Sequence, residues 1–327
     1  MSVRTVSLGG SGYSGVLPAT RDEALAAAGA LARELPLPGS GGTLELWEAL
    51  ASVASVDLGA VRALEPHVDT VAILDQAGQT ALLEPDSTWG VFAAEGGNEP
   101  VTATLVDGGW TLSGVKPWCS LADRLSNALI SATTTEGDRR LFAISLASVT
   151  VEEGAWHSRG LAEIPSGPIR LDAVAATPVG DAGWYLTRPG FAWGGIGVAA
   201  CWFGGAVGIA RSVFASVKAD NPLALMHLGA IDELVQSGRR ALAEAAALID
   251  AGTDDRLLAR RVRGTVAKAA EEIITRSGHA LGPAPLALDD EHAKRVADLT
   301  IYIRQHHAEK DDASLGSALL KKDVSPW

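Results

Sequence analysis

Gly109-Trp110-Thr111-Leu112-Ser113-Gly114-Val115-Lys116-Pro117-Trp118-Cys119-Ser120 is the stretch whose reading decides the fold. Trp110, Leu112 and Gly114 alternate with polar residues, the period of a half-buried strand. Asp107-Gly108-Gly109 precedes them, and before that Val101, Ala103 and Leu105 alternate in the same way. Two such runs joined by Asp-Gly read as a β-hairpin. The pattern continues downstream. Ala128, Ile130 and Ala132 lead to the turn Glu136-Gly137-Asp138, then to 141–146, and on to Val149, Val151, Ile169 and Leu171. Short strands that are near neighbours in sequence predict a small antiparallel β-barrel or sandwich, here over residues 85–187.

The flanks have helical period. Thr20 and Glu23 have capping-box spacing, and Leu25, Ala28, Leu31, Ala32 and Leu35 line one face before Pro36. Leu46, Leu50, Val53 and Ala54 mark a second helix; Val68, Val71, Ala72 and Asp75 mark a third. Asp57, Glu65 and His67, beside Pro66, read as a surface turn. Residues 1–84 thus form an N-terminal helical domain. From Arg188 the helical period returns in four long runs, which predicts a four-helix bundle over 188–327. The first run includes Phe191–Ala210, uncharged, long enough to span a bilayer, and carrying Gly204 and Gly208 in GxxxG spacing. With no second span, it reads as a buried bundle helix, and no membrane partner is expected.

Composition narrows the function classes. The 327 residues carry 27 Lys and Arg against 39 Asp and Glu, a net charge of −12. So few cations disfavour a nucleic-acid partner. Two cysteines without a CxxC pair argue against structural zinc. His307 and Asp311 at i,i+4 spacing supply only two ligands, so no metal site is expected. The N-terminus lacks an apolar signal segment, and the thiols suit a reducing compartment, so a cytoplasmic location is expected. Gly10, Gly12 and Gly15 satisfy GxGxxG, but Pro18 follows closely and the next helix starts near Thr20. The segment therefore reads as a flexible terminus or lid rather than a dinucleotide loop. Nine Trp against five Phe and three Tyr point to indole rings used for large flat contacts.

Helices, a small β domain, then a four-helix bundle is also the order of the acyl-CoA dehydrogenase superfamily. Residues 109–120 resemble that family's G-x-x-L-x-G-x-K-x-[WF]-x-[ST] segment. The resemblance implies an FAD site in which Trp118 packs beside the isoalloxazine and Ser120 hydrogen-bonds near N5. Phe92-Ala93-Ala94-Glu95-Gly96-Gly97 resembles the T-E-P-G loop over the flavin, with Ala94 in place of the hydroxyl residue. His279-Ala280-Leu281-Gly282-Pro283 resembles the loop that reaches a neighbouring subunit's cofactor, which implicates Gly282 and a homodimer or homotetramer. The implied substrate is a small molecule, with an acyl thioester as the class.

The departures bear on the chemistry. The family's α-proton base is a Glu near the end of the last helix; counting from Arg295, that position is Arg304. The alternative position, on the first bundle helix, has no carboxylate between Gly190 and Ala210. A cation cannot act as the base for a carbon acid. The family's pyrophosphate-binding Arg has no counterpart around 221–229. Three readings stay open: a flavin-dependent oxidoreductase with an altered or lost base, a non-catalytic binding or scaffold protein, and a flavin-dependent monooxygenase. Monooxygenases of this fold use a Ser or backbone group near N5 and a late-helix His, which here implies Ser120 with His306; His306 and His307 are the catalytic candidates.

Overall fold

The computed structural model describes residues 5–96, 99–253, 256–322, 324–325 and 327. Gly97 of the loop discussed above lies outside them. The N-terminal segment holds α1 (Arg21–Glu34), α2 (Thr43–Val56) and α3 (Leu58–Gln76). Thr20 caps α1 by accepting from the Glu23 N–H, and Asp57 caps α3 by accepting from the Ala60 N–H.

The surface turn expected around Pro66 is not there. α3 runs straight through it, and Pro66 and His67 are buried inside the helix. Pro66 has no N–H for the preceding turn. The apolar stripe of Val61, Leu64 and Val68 nevertheless stays packed in the core, and that burial outweighs one lost helical hydrogen bond.

The sheet contains β1 (Trp89–Phe92), β2 (Thr102–Val106), β3 (Gly109–Lys116), β4 (Asn127–Thr134), β5 (Arg139–Ser145), β6 (Thr150–Val151) and β7 (Ile169–Val179). The β2–β3 hairpin pairs Val106 with Gly109, and its turn residues Asp107 and Gly108 both have positive φ. That is the turn whose twist matches the strands. Strands run in the order β1-β4-β2-β3-β7-β5, and β5 also pairs with β4, so the ladder closes on itself. It is not wholly antiparallel as expected: β4 is parallel to both β1 and β2. Parallel neighbours need a long connection, and the β2–β3 hairpin supplies it between β1 and β4.

Beyond the sheet come α4 (Trp184–Thr187), α5 (Pro189–Ser216), α6 (Pro222–Asp250), α7 (Arg256–Leu281), α8 (Ala284–Leu288), α9 (Asp290–Tyr302) and α10 (Glu309–Leu319). α5 is long and apolar enough to cross a membrane, and 67% of its most apolar 18-residue window is buried inside the protein. The main hydrophobic core joins α1–α3, the sheet, α5–α7 and α9.

The Gly-rich N-terminal loop is neither a dinucleotide loop nor a loose lid. No strand precedes it among residues 5–8, and α1 begins well after it. It wraps the side chain of Glu48, which is 2% exposed. The Glu48 carboxylate accepts from the N–H groups of Leu8 (2.7 Å), Gly10 (3.0 Å) and Gly12 (3.0 Å). A Cβ on Gly10 would lie 2.9 Å from Glu48 Oε2. The glycines thus form a nest for an anion, and the anion is a side chain of α2.

Candidate functional site

Trp118 and Ser120 lie beyond β3, not on it. The strand ends at Lys116, whose ammonium is buried and donates to the Ser131 carbonyl (2.7 Å) and hydroxyl (2.9 Å). Burial pushes its pKa down to about 8. Ser131 sits under the loop after β1: its hydroxyl approaches the Ala93 carbonyl at 3.4 Å and Glu95 Oε1 at 3.3 Å. Arg139 clamps the same loop through Glu95 at 2.7 Å. These bonds hold Ala94, which is exposed, at the same end of the sheet as the segment leading to Trp118.

The next residues are strapped down. The Cys119 N–H donates to Gly167 O (2.9 Å) and the Leu121 N–H to Pro165 O (2.8 Å). Cys119, Ser120 and Leu121 are buried, yet Trp118 between them and Pro117 is 61% exposed, with φ +61. A left-handed Trp is a costly conformation that persists only when its surroundings fix it. Here the buried flanks fix it and turn the indole outward. The Cys119 thiol is held inside, where burial pushes its pKa up to about 12, and it is no nucleophile.

Ser120, 6% exposed, is fully engaged. Its hydroxyl accepts from Arg62 Nη2 at 2.9 Å and meets the Ser166 hydroxyl at 2.7 Å. Ser166 donates onward to Ile164 O, so the Ser120 proton points to Ser166. The cationic donor beside Ser120 is therefore Arg62 of α3, a residue the sequence reading missed. Arg62 also lies 3.6 Å from Glu65 Oε2. Burial raises the Glu65 pKa to about 7; Arg62 and Arg263 oppose the shift, and Asp69 adds to it. Tyr302 of α9 and Cys201 of α5 face this carboxylate. Arg263 of α7 lies over the Trp202 ring at 4.7 Å. Arg62, Glu65 and Asp69 stand at i, i+3 and i+7, one helical face. That spacing is visible in the sequence, and a helix break at Pro66 would hide it.

The histidine pair splits. α9 ends at Tyr302, a single 3-10 turn covers Ile303–Gln305, and neither histidine lies within a helix. His306 is 6% exposed and accepts from the Ala308 N–H through Nδ1; its Nε2 lies 3.7 Å from Asp311. Burial lowers its pKa. His307 points out, its side chain 66% exposed and 3.7 Å from Asp311. No described contact joins either histidine to Ser120. Gly282 follows α7 with φ +70, and its N–H donates to Gly278 O. At Arg304 the guanidinium pairs with Glu271 at 2.6 Å.

No protein-family model and no curated protein matches the sequence. Solved structures do match. Butyryl-CoA dehydrogenase from Megasphaera elsdenii superposes with a TM-score of 0.79 at 19% identity, covering 92% of this chain and 89% of that one. FMN-bound TdsC from Paenibacillus sp. A11-2, a dibenzothiophene monooxygenase, gives 0.77 at 18%, covering 94% and 92%. An electron transferring flavoprotein structure from Acidaminococcus fermentans gives 0.81 at 15%, covering 94% and 91%. The likeness runs along nearly the whole length of the chain, and the chain has the acyl-CoA dehydrogenase-like fold.

Proposed function

We propose that the protein is a flavin-dependent oxidoreductase that takes FAD at the face formed by Trp118, Ala94 and the Ser120–Arg62 pair. The observation that carries this reading is Trp118: an exposed indole, held in a strained backbone between buried residues, is a stacking platform for a planar ligand. The site fits a flavin ring, because Arg62 brings a cation to the inner side of that platform and holds beside it the Ser120 hydroxyl, whose own proton is given to Ser166. The structural neighbours named above include an FMN complex and a flavoprotein, which supports a flavin and leaves FMN as a measurable second outcome. When bound, the flavin supplies a two-electron acceptor. The chain's own residues orient it: Trp118 stacks, Arg62 holds Ser120 in place, and the Lys116–Ser131–Glu95 network fixes the loop carrying Ala94. The closed sheet is read as the β domain of residues 85–187, between an N-terminal helical domain and the C-terminal bundle.

The late-helix carboxylate of the dehydrogenases is replaced by Arg304, so saturated acyl-CoA esters are poor substrates. A second reading, a monooxygenase supplied with reduced flavin, is favoured by the buried His306 and by the likeness to TdsC. A cytoplasmic homodimer or homotetramer goes with either reading; exposed Leu223 and Met226 on α6 offer apolar surface for a second copy. The absorbance spectrum of the purified protein, before and after soaking with FAD or FMN, tests the proposal. Flavin bands that survive desalting are expected; a colourless protein after soaking refutes it and favours a binding or scaffold role. Rapid bleaching of the bound flavin by a saturated acyl-CoA would overturn the altered-base reading. Substrate-dependent oxygen consumption that His306→Ala abolishes would select the monooxygenase.

A further inference from the structure

The late-helix position has no base, but a buried carboxylate from a different element, Glu65 of α3, lies near Tyr302 of α9. Glu65 stands between two features. On one side is Arg62, with Nη1 3.6 Å from Glu65 Oε2 and Nη2 donating to Ser120 Oγ at 2.9 Å. Glu65 is thus one guanidinium away from the hydroxyl at the proposed flavin face. On the other side is a small cavity of ≈ 30 Å³ between α2, α3 and α5, lined by Glu65, Asp69, Trp47, Leu50, Val68 and Trp193. A buried water needs roughly 10–15 Å³ and two to four polar partners. This cavity offers two carboxylates and the Trp193 Nε1–H, a buried donor without a hydrogen-bond partner among the described residues. The Tyr302 hydroxyl, also buried near Glu65, meets the Cys201 thiol.

We propose that Glu65 is the acid–base residue of this protein, and that a water in the adjoining cavity links it to Asp69. The proposal rests on the flavin reading for the reaction it serves. The step is a proton transfer: the substrate's X–H bond breaks, its electron pair stays on the substrate atom, and the proton forms an O–H bond on Glu65. The proton then passes through the water to Asp69, and the reverse path returns it. The charged and titratable groups facing Glu65 are Arg62 and Asp69 from α3, Tyr185 from α4, Cys201 from α5, Arg263 from α7 and Tyr302 from α9. Burial dominates over the two arginines and brings the Glu65 pKa to about 7, where a carboxylate both takes and gives a proton. Asp69 is raised by burial too, against the pull of Arg188.

The test uses the full chain loaded with FAD or FMN, reduced with dithionite and mixed with dioxygen between about pH 5 and pH 9, a reaction that needs protons but no known substrate. The wild-type rate should show an inflection near neutrality. Glu65→Gln should lose the inflection and slow the reaction about tenfold or more; Glu65→Asp should restore it at a shifted pH. Asp69→Asn should slow proton return while keeping the inflection. A Glu65→Gln profile identical to wild type overturns the proposal. Thermal unfolding gives a readout independent of turnover. The wild-type midpoint should fall between pH 4.5 and about 7 relative to Glu65→Gln, and parallel curves would overturn the buried, titrating Glu65. Protein that takes up neither flavin overturns the functional reading and Glu65's catalytic role with it; absorbance shows this before any variant is made.

Discussion

Replacing Gly204 with Ala should destabilise the protein, although alanine is the better helix former. Gly204 lies within α5 where it crosses α2. A Cβ added there would sit 2.1 Å from the Ala51 carbonyl oxygen, 2.7 Å from Ala51 Cα and 2.7 Å from Ala54 Cβ. Carbon–oxygen contacts settle near 3.3–3.6 Å, so the two helices must part by about 1 Å at the crossing. Two of the three clashing atoms are backbone, so no side-chain rotation relieves them. Overpacking of this kind costs about 1–3 kcal/mol, occasionally more. The change from Gly to Ala returns about 1 kcal/mol of helix propensity, so the net effect is a loss of up to about 2 kcal/mol. Gly229 in α6 is the control, because its added Cβ meets nothing within 4 Å. Gly229→Ala should stabilise by about 0.5–1 kcal/mol. Differential scanning calorimetry of both variants reads opposite shifts in Tm. A Gly204→Ala protein at or above the wild-type Tm, alongside a stabilised Gly229→Ala, would refute close α2–α5 packing as the role of this glycine.

Other perturbations probe the remaining polar centres. Glu48→Ala orphans the N–H groups of Leu8, Gly10 and Gly12 and should cost about 2–4 kcal/mol; limited proteolysis should then cut near residues 5–15, and an uncut, equally stable variant would count against the nest. Lys294 meets Asp57 at 2.8 Å, Glu163 at 2.7 Å and Asp298 at 2.6 Å. Lys294→Met leaves the buried Asp298 carboxylate without its cation and should lower Tm, less so when Asp298→Asn is added; equal losses in the single and double variants would refute the coupling. Burial pushes the His67 pKa from 6.5 down to about 4. The folded state keeps His67 neutral while the unfolded chain takes a proton, so stability falls as pH drops from about 6.5 to 4. His67→Gln should flatten that part of the pH–stability curve, and an unchanged curve would argue against a buried neutral histidine. Cys119 and Cys201 are buried, with thiol pKa values raised by burial, so iodoacetamide should leave both unmodified in the folded protein. Fast labelling of either by mass spectrometry would contradict their placement.

Much of this architecture is local and therefore readable along the chain. The two-residue period on either side of Asp107-Gly108 selects a hairpin, because side chains alternate across a strand and only a few turns match its twist. The Thr20 cap and the apolar stripes of α6 and α7 follow from helical geometry in the same way. Trp118 and Ser120 stood out by motif, yet the motif could not give their states: positive φ turns one outward, and hydrogen bonds from Arg62 and to Ser166 use up the other. Pro66 shows where local reading fails. Its rule concerns one missing N–H, whereas the burial of the whole α3 stripe decides the helix. With that turn gone, Glu65 moves from the surface to the centre of the molecule.

The GxGxxG loop teaches the same lesson from the other side: glycines that suit an anion are local, but the anion, Glu48, is supplied by α2. By itself, the sequence determined the order of helices, strands and helices, the hairpin, and the absence of a carboxylate at Arg304, since each depends on neighbours within a few residues. Only the tertiary structure decided the closure of the sheet through β4 and β5, the exposure of Trp118 and the convergence of Arg62, Glu65, Tyr302 and Arg263. Those features join distant elements, and a side chain's burial and charge environment exist only once those elements have packed.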